Sequence, residues 1–431
     1  MEVLGIIILV VSFFTFLALG VPIAYSIGLS ASITLLVSIS PIPAFTTMAQ
    51  RISTGLDSFA LLAIPFFVLA GQLMNRGGIA MKLIDFAKVL VGRFPGGLAF
   101  VNILANMLFG AISGSAAASA SAIGTFMTPR MEKEGYDKSY STAVNVTSAT
   151  TGLSIPPSNV LIVYSLAAGG LSIGALFIAG YVPGILTGLA LAAVAAAIAY
   201  RRNYPLADKV GFKTGLYKFL DAIPSLGMII VVIGGIIAGV FTATEAAAIA
   251  VVYALILSFI YRQISVSDLP QILLRSVIVS TIILLLVGCS IGLSWVMSYQ
   301  NIPQAVSEGL LALSSNKFVI LIIINLLLLI VGIFMDMTPA VLIFAPIFLP
   351  VVTNLGVDPI HFGIIMVLNL SIGLCTPPVG TLLFVGCSVS KIGIEKVIRP
   401  LLPLYAVMIL VLLLITYFPQ LTLWLPKLFG F

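Results

Sequence analysis

Apolar residues along this chain come in runs too long for a soluble core, and the polar positions that interrupt them recur in a fixed register. Uncharged stretches extend from Val3 to Gln50, from Ser139 to Tyr200 and, apart from Asp336, from Phe318 to Val357; roughly 18 to 20 such residues suffice to cross a bilayer. The pattern predicts spanning helices near 4–20, 23–39, 59–75, 139–170, 172–200, 222–241, 245–261, 276–297, 360–390 and 400–425. Two of these, 139–170 and 360–390, are interrupted at 152–159 and 373–381. The segments 97–129 and 318–350 are each too long for one span, and their centres carry Ser113-Gly114-Ser115 and Asp336, Thr338 and Pro339. Such centres do not suit a lipid-facing helix, so each segment is expected to be a re-entrant hairpin that dips in and returns to the same side.

The interruptions are copies of one another. Gly152-Leu-Ser-Ile-Pro-Pro157 recurs as Gly373-Leu-Cys-Thr-Pro-Pro378, 221 positions later, and the same offset carries Pro129 onto Pro350, Gly135 onto Gly356 and Asp137 onto Asp358. Upstream, Gly20-Val21 and Gly239-Val240 are related by 219. The chain therefore reads as two repeats, 1–210 and 222–431. Each holds scaffold helices, an arm helix (76–93 and 302–313), a hairpin and a broken helix.

Composition agrees: 61% hydrophobic, 8% charged and a mean hydropathy of +1.23 describe an all-α polytopic membrane protein. Lysine and arginine gather in cytoplasmic loops. With both hairpins re-entrant, all the basic residues except Arg51, Lys317 and Lys427 fall on one face. Both chain ends are then external, and the two repeats enter the membrane in opposite senses. Met1-Glu2 has no basic residue before the first apolar run, so a removable secretory signal is not expected. Trp295 and Trp424 fall at outer helix ends, where an amphipathic ring is comfortable. The pI near 9.2 does not indicate nucleic acid, because the basic residues are scattered through short loops. Cys289, Cys375 and Cys387 lie in apolar sequence and read as small core residues.

Inverted repeats with paired broken helices point to a secondary transporter, because freed backbone groups are tolerated in a membrane only where they line a site or cavity. Proline removes an amide donor and leaves carbonyls unpaired; these are hard ligands for a cation, and Ser154 and Thr376 can add hydroxyl oxygens. A single break reads first as a structural kink, but two at matched places, each with a hairpin, point to function. Asp336 has no other charge between Lys317 and Asp358, and an ionised carboxylate there costs roughly 2.5 to 3.5 kcal/mol on insertion scales. A cation or polar substrate would compensate it; the alternative is a neutral or backbone-bonded carboxyl. The 221 offset sets it opposite Ser115, so one midplane site is expected, with Ser113 and Ser115 on one side and Asp336 and Thr338 on the other. Glu245 follows Thr242 as in a helix capping box. His361 is the one histidine, so a multi-histidine metal cluster is excluded and a structural role is expected.

Five runs carry a family resemblance: Ala63 to Gly78, Gly114 to Gly124, Ile155-Pro-Pro-Ser158, Phe241 to Ala248 and Gly373-Leu-Cys-Thr-Pro-Pro-Val-Gly380. Across nearly its whole length the chain resembles the large membrane subunit of tripartite ATP-independent periplasmic (TRAP) transporters, with the sialic-acid type the preferred subgroup. The resemblance implies sodium-driven uptake of an organic acid (sialic acid first, a C4-dicarboxylate next) across a bacterial inner membrane, with hairpins and broken helices moving as an elevator. It also implies two separate partners, a periplasmic substrate-binding protein and a small four-helix membrane subunit. Carried over by motif, one sodium site is formed by Ser113, Gly114, Ser115, Gly152 and Ser154. A second is formed by Asp336, Thr338, Gly373, Cys375 and Thr376. Substrate falls to Ser113, Ser115, Ser119, Asn159 and Asp336. The chain departs from the family pattern at Ser119 and Gln72, where many members are acidic.

Three rival classes remain. A membrane enzyme lacks any catalytic constellation such as H-E-x-x-H, and an ATP-driven pump lacks the G-x-x-x-x-G-K-[ST] phosphate loop. A passive channel stays open, since broken-helix carbonyls also build filters.

Overall fold

The computed structural model describes residues 2–92, 94, 96–204 and 212–431. Arg93 and Lys209 of the basic set, and the segment 205–211 where the repeats join, lie outside these. All regular structure among the described residues is helical, and eight helices are long and apolar enough to cross a membrane.

Both hairpins form. The first pairs Gly97–Ser113 with Ala116–Lys133, and the second pairs Lys317–Phe334 with Met337–Asn354. An 18-residue arm is about 27 Å long, so length alone does not separate a re-entrant arm from a crossing one. The two turns meet: both line the same cavity.

Both breaks form as well. The first separates Lys138–Ala149 and Thr151–Ser154 from Asn159–Ala167, and the second separates Pro359–Gly373 from Thr381–Ser390. Asp137 starts the first by accepting from the Tyr140 amide at 2.9 Å, and Asp358 starts the second by accepting from the Ile360 amide at 2.8 Å. The two aspartates that mark the repeat are thus matched helix caps. In each repeat two glycines cross where hairpin meets broken helix. A Cβ on Gly152 would lie 2.3 Å from the Gly110 Cα, and one on Gly373 would lie 2.6 Å from the Gly332 Cα.

The repeats are woven crosswise. The second arm of the first hairpin packs on Thr381–Ser390, and that of the second hairpin packs on Asn159–Ala167. The scaffold crosses likewise: Ala63–Arg76 lies against Ala243–Ile260, and Ile23–Ser38 against Leu269–Tyr299. The fold is therefore a pair of inverted-topology repeats, each with a re-entrant hairpin and a broken helix. The predicted arms are the helices Ile79–Val91 and Ile302–Leu313, and each touches its own hairpin. The first is tied to Phe212–Ile237 by two reciprocal ion pairs, Lys82 with Asp221 and Lys218 with Asp85.

Some boundaries differ from expectation. Pro41–Leu56 is a helix that the sequence pattern left unassigned, and the span expected at 276–297 begins at Leu269. The last expected span, 400–425, divides into Ile394–Tyr417 and a short terminal helix, Gln420–Leu428. Glu245 makes the expected capping box, its carboxylate accepting from the Thr242 amide and hydroxyl at 2.8 Å each. His361 is buried, with Nδ1 2.8 Å from the Thr422 hydroxyl, and so fastens the second broken helix to the terminal one. The three cysteines are buried and free.

Candidate functional site

A cavity of about 470 Å³ lies where the two hairpin turns meet. Its walls are Ser113 to Ala118 of the first hairpin, Asp336 to Thr338 of the second, and Leu153, Asn159, Leu374 and Thr381 beside the breaks. The scaffold closes the remaining side with Gln72 and Asn75 from one helix and Val279, Ile282, Ile283 and Leu286 from another. Its size falls in the range of small-molecule sites, roughly 300 to 1,000 Å³.

Four helices begin at this cavity, since Ala116, Asn159, Met337 and Thr381 are first residues of helices and all line it. Free amides and the positive end of the backbone dipole gather at each such terminus. Ser115 caps the first, accepting from the Ala118 amide at 3.3 Å, and Asp336 holds the equivalent position in the second hairpin. No lysine or arginine is among the cavity's described lining residues. The positive potential there comes from backbone, which suits an anion.

Asp336 sits at the turn of its hairpin with its side chain exposed to the cavity. Among the described residues no basic side chain is in ion-pair contact with it. The carboxylate thus lines the same cavity as Ser115 and accepts a hydrogen bond from the Met337 amide.

Of the other expected residues, Ser113, Gly114, Ser115, Asn159 and Thr338 also line the cavity. Gly114 has φ +60°, and a Cβ there would meet the Asn159 side-chain Nδ2 at 2.9 Å. The remaining expected residues stand behind the wall. Gly152 and Gly373 are spent on the helix crossings. Ser154 is buried beside Leu153, and its hydroxyl makes no hydrogen bond. Thr376 donates to the Ile372 carbonyl at 2.9 Å, and the Cys375 thiol points to the Val146 carbonyl at 3.6 Å. Ser119 is fully buried and donates to Asn106 Oδ1 at 2.7 Å, one turn behind the hairpin tip.

Sequence reasoning missed the asparagines that hold this frame. Asn106 Nδ2 reaches Asn145 Oδ1 at 3.1 Å and Ser148 Oγ at 3.0 Å, tying the first hairpin to its broken helix. Asn369 Nδ2 donates to Asn325 Oδ1 at 2.7 Å in the second repeat. Asparagines inside otherwise apolar helices were the available signal.

The first break also leaves a cluster of buried oxygens without partners: Ser154 Oγ, Ser158 Oγ and Asn159 Oδ1. Buried polar atoms are normally satisfied by protein or ordered water, so these three oxygens within six residues are free to meet a ligand or water.

Residues 10–421 match the family described as the DctM component of the tripartite ATP-independent periplasmic transporter. An uncharacterised Salmonella typhimurium protein, YgiK, is 60% identical over 99% of this chain and 98% of its own. The C4-dicarboxylate TRAP transporter large permease DctM of Rhodobacter capsulatus is 39% identical, and the sialic acid TRAP transporter large permease SiaM of Vibrio cholerae 37%; each match covers 95% of this chain and 96% of the relative. The crystal structure of the Alcanivorax borkumensis YdaH transporter, described as having an unusual topology, superposes with a TM-score of 0.62 at 16% identity, over 86% of this chain and 87% of that one. That likeness concerns the fold alone. On the family match and the relatives together, this multi-pass membrane protein belongs to the DctM family of TRAP transporter large permeases.

Proposed function

We propose that this chain couples the downhill entry of sodium to the uptake of an organic acid anion, with sialic acid the first candidate and a C4-dicarboxylate the next. The observation that carries the reading is the convergence of four helix N-termini on a cavity with no described basic side chain and one unpaired carboxylate. A carboxylate substrate alone would be repelled by Asp336. Cations must enter with it, and the family's coupling ion, sodium, has hard oxygen ligands to hand. Ser154, Ser158 and Asn159 offer three orphaned oxygens at the first break, and Asp336 with Thr338 offers a second set. The named substrates of the two relatives are both carboxylates, which agrees with a site of this polarity.

Hairpins and broken helices, joined crosswise and by their asparagine ties, would travel as one elevator body against the scaffold. The seam is where Leu269–Tyr299 meets the second hairpin and Ala63–Arg76 meets the first. The expected setting is a bacterial inner membrane with both chain ends periplasmic, a separate binding protein delivering substrate and a small membrane subunit completing the scaffold.

Reconstitution of the chain with those two partners in liposomes tests this. An imposed inward sodium gradient should concentrate labelled N-acetylneuraminate or succinate above the external level, and collapsing that gradient should stop it. Flux that only ever equilibrates would favour a passive channel instead.

A further inference from the structure

A second cavity, of about 350 Å³, lies along the same scaffold helix as the first. Val279, Ile282, Ile283 and Leu286 line the first cavity, whereas Val287, Ser290, Ser294, Trp295 and Ser298 line this crevice. The second hairpin divides in the same way, with Asp336 to Thr338 below and Leu342 and Pro346 above. The crevice therefore lies on the scaffold seam directly beside the first cavity, with Leu286 and Val287 consecutive on the scaffold helix and Thr338 and Leu342 one turn apart on the hairpin.

Its polar groups suit an anion. Ser290, Ser294 and Ser298 are spaced by four, share one face of the helix and span about 12 Å; Ser298 donates to the Ser294 carbonyl at 2.9 Å, so the partnerless donor of the row is Ser290. Ser290 is 1% exposed, lines the crevice, and its hydroxyl has no partner. At the mouth, the Arg51 guanidinium lies over the Trp295 ring, 5.3 Å from its centroid. Among the described residues it has no carboxylate partner. Arg51 is also one of only three basic residues assigned to the face opposite the basic loops. A guanidinium held on an aromatic face keeps its donors free for a carboxylate.

We infer that this crevice is an outer staging site, where Arg51 takes the carboxylate of the incoming organic anion and the serine row leads it down to the midplane cavity. The inference rests on the organic-anion reading above. It assigns to Arg51, Trp295 and Ser290 a binding step that precedes translocation.

Trp295 is one of two tryptophans, and Trp424 is exposed elsewhere, so Trp424→Phe leaves Trp295 as the sole reporter. In the purified full-length chain in a neutral detergent, N-acetylneuraminate or succinate should change its fluorescence saturably. Arg51→Gln added to Trp424→Phe should shift the response to about tenfold higher acid concentration, and Asp336→Asn added instead should leave it in place. In reconstituted uptake, Arg51→Gln should raise KM about tenfold, the order expected for one charge-assisted hydrogen bond, with little change in maximal rate. A flat response in a Trp424→Phe protein that still transports would overturn the staging site and leave the organic-anion reading standing. So would a response whose half-saturation is unchanged by Arg51→Gln, one lost with Asp336→Asn, or one elicited by phosphatidylglycerol and not by the acids. Failure to transport any organic anion would instead remove the reading on which the site depends.

Discussion

The two breaks share a sequence pattern but not a hydrogen-bond economy. At the second, the Gly373 carbonyl accepts from the Thr376 amide at 2.9 Å and the Leu374 carbonyl from the Leu382 amide at 3.1 Å. The Gly380 amide reaches across to the Ile333 carbonyl at 3.2 Å. That break closes on itself and on its hairpin. The first leaves Ser154, Ser158 and Asn159 with unsatisfied buried oxygens. The second repeat's charge sits instead at its hairpin turn, on Asp336. Duplication thus supplied one geometry twice, and the residues then divided the work: three partnerless oxygens gather at the first break, while the second has only Asn369 Oδ1 one turn before its break and a carboxylate at its hairpin turn.

If that division holds, substitutions at matched positions should have unequal effects. Asp336→Asn should have the largest, reducing sodium-driven uptake at least 100-fold in reconstituted vesicles while membrane insertion and yield stay normal. Its counterpart Ser115→Ala removes only a cap worth about 0.5–2 kcal/mol and should leave measurable transport. Next come the breaks themselves. Asn159→Ala should raise the sodium concentration for half-maximal uptake about tenfold, the order of one lost ligand, whereas Thr376→Val, whose hydroxyl is already committed to Ile372, should raise it far less. Equal shifts would mean the two breaks are equivalent after all.

The glycine crossings should then behave alike, since both are backbone against backbone. Gly152→Ala and Gly373→Ala each force a methyl into a space that cannot yield, and each should destabilise the protein by about 1–3 kcal/mol, read as a lower melting temperature in detergent. The smallest effect belongs to the arm. Lys82→Ala breaks a half-exposed ion pair to Asp221 and should cost no more than about 1 kcal/mol, with uptake retained.

Much of the frame was legible because repeats and breakers are loud signals in an apolar sequence. Pro156-Pro157 and Pro377-Pro378 located the breaks, Ser113 to Ser115 and Asp336 located the turns, and Asp137 and Asp358 proved to be caps. The helix Pro41–Leu56 escaped notice because it is amphipathic, with Gln50 and Arg51 along it, so it breaks the uniform apolar run that marks a span. Leu269–Tyr299 starts earlier than expected because Pro270 falls in its first turn, where a missing amide is harmless. Within the site, sequence spacing gave the residues at the turns but could not tell a cavity wall from the layer behind it. Ser119 and Thr376 have the right chemistry and turn it toward Asn106 and Ile372. The outer crevice was illegible for another reason: Arg51 and Trp295 are far apart in sequence, and a serine row on a long helix looks like ordinary polar surface.

Direct binding of sodium tests the central claim most sharply. Melting of the purified chain should be compared in sodium chloride and in choline chloride at equal ionic strength, because a ligand that binds only the folded state stabilises it by mass action. The account predicts a sodium-specific rise in melting temperature that is lost when Ser154→Ala and Asn159→Ala are combined. Identical melting in the two salts, or a sodium effect that survives both substitutions, would contradict it.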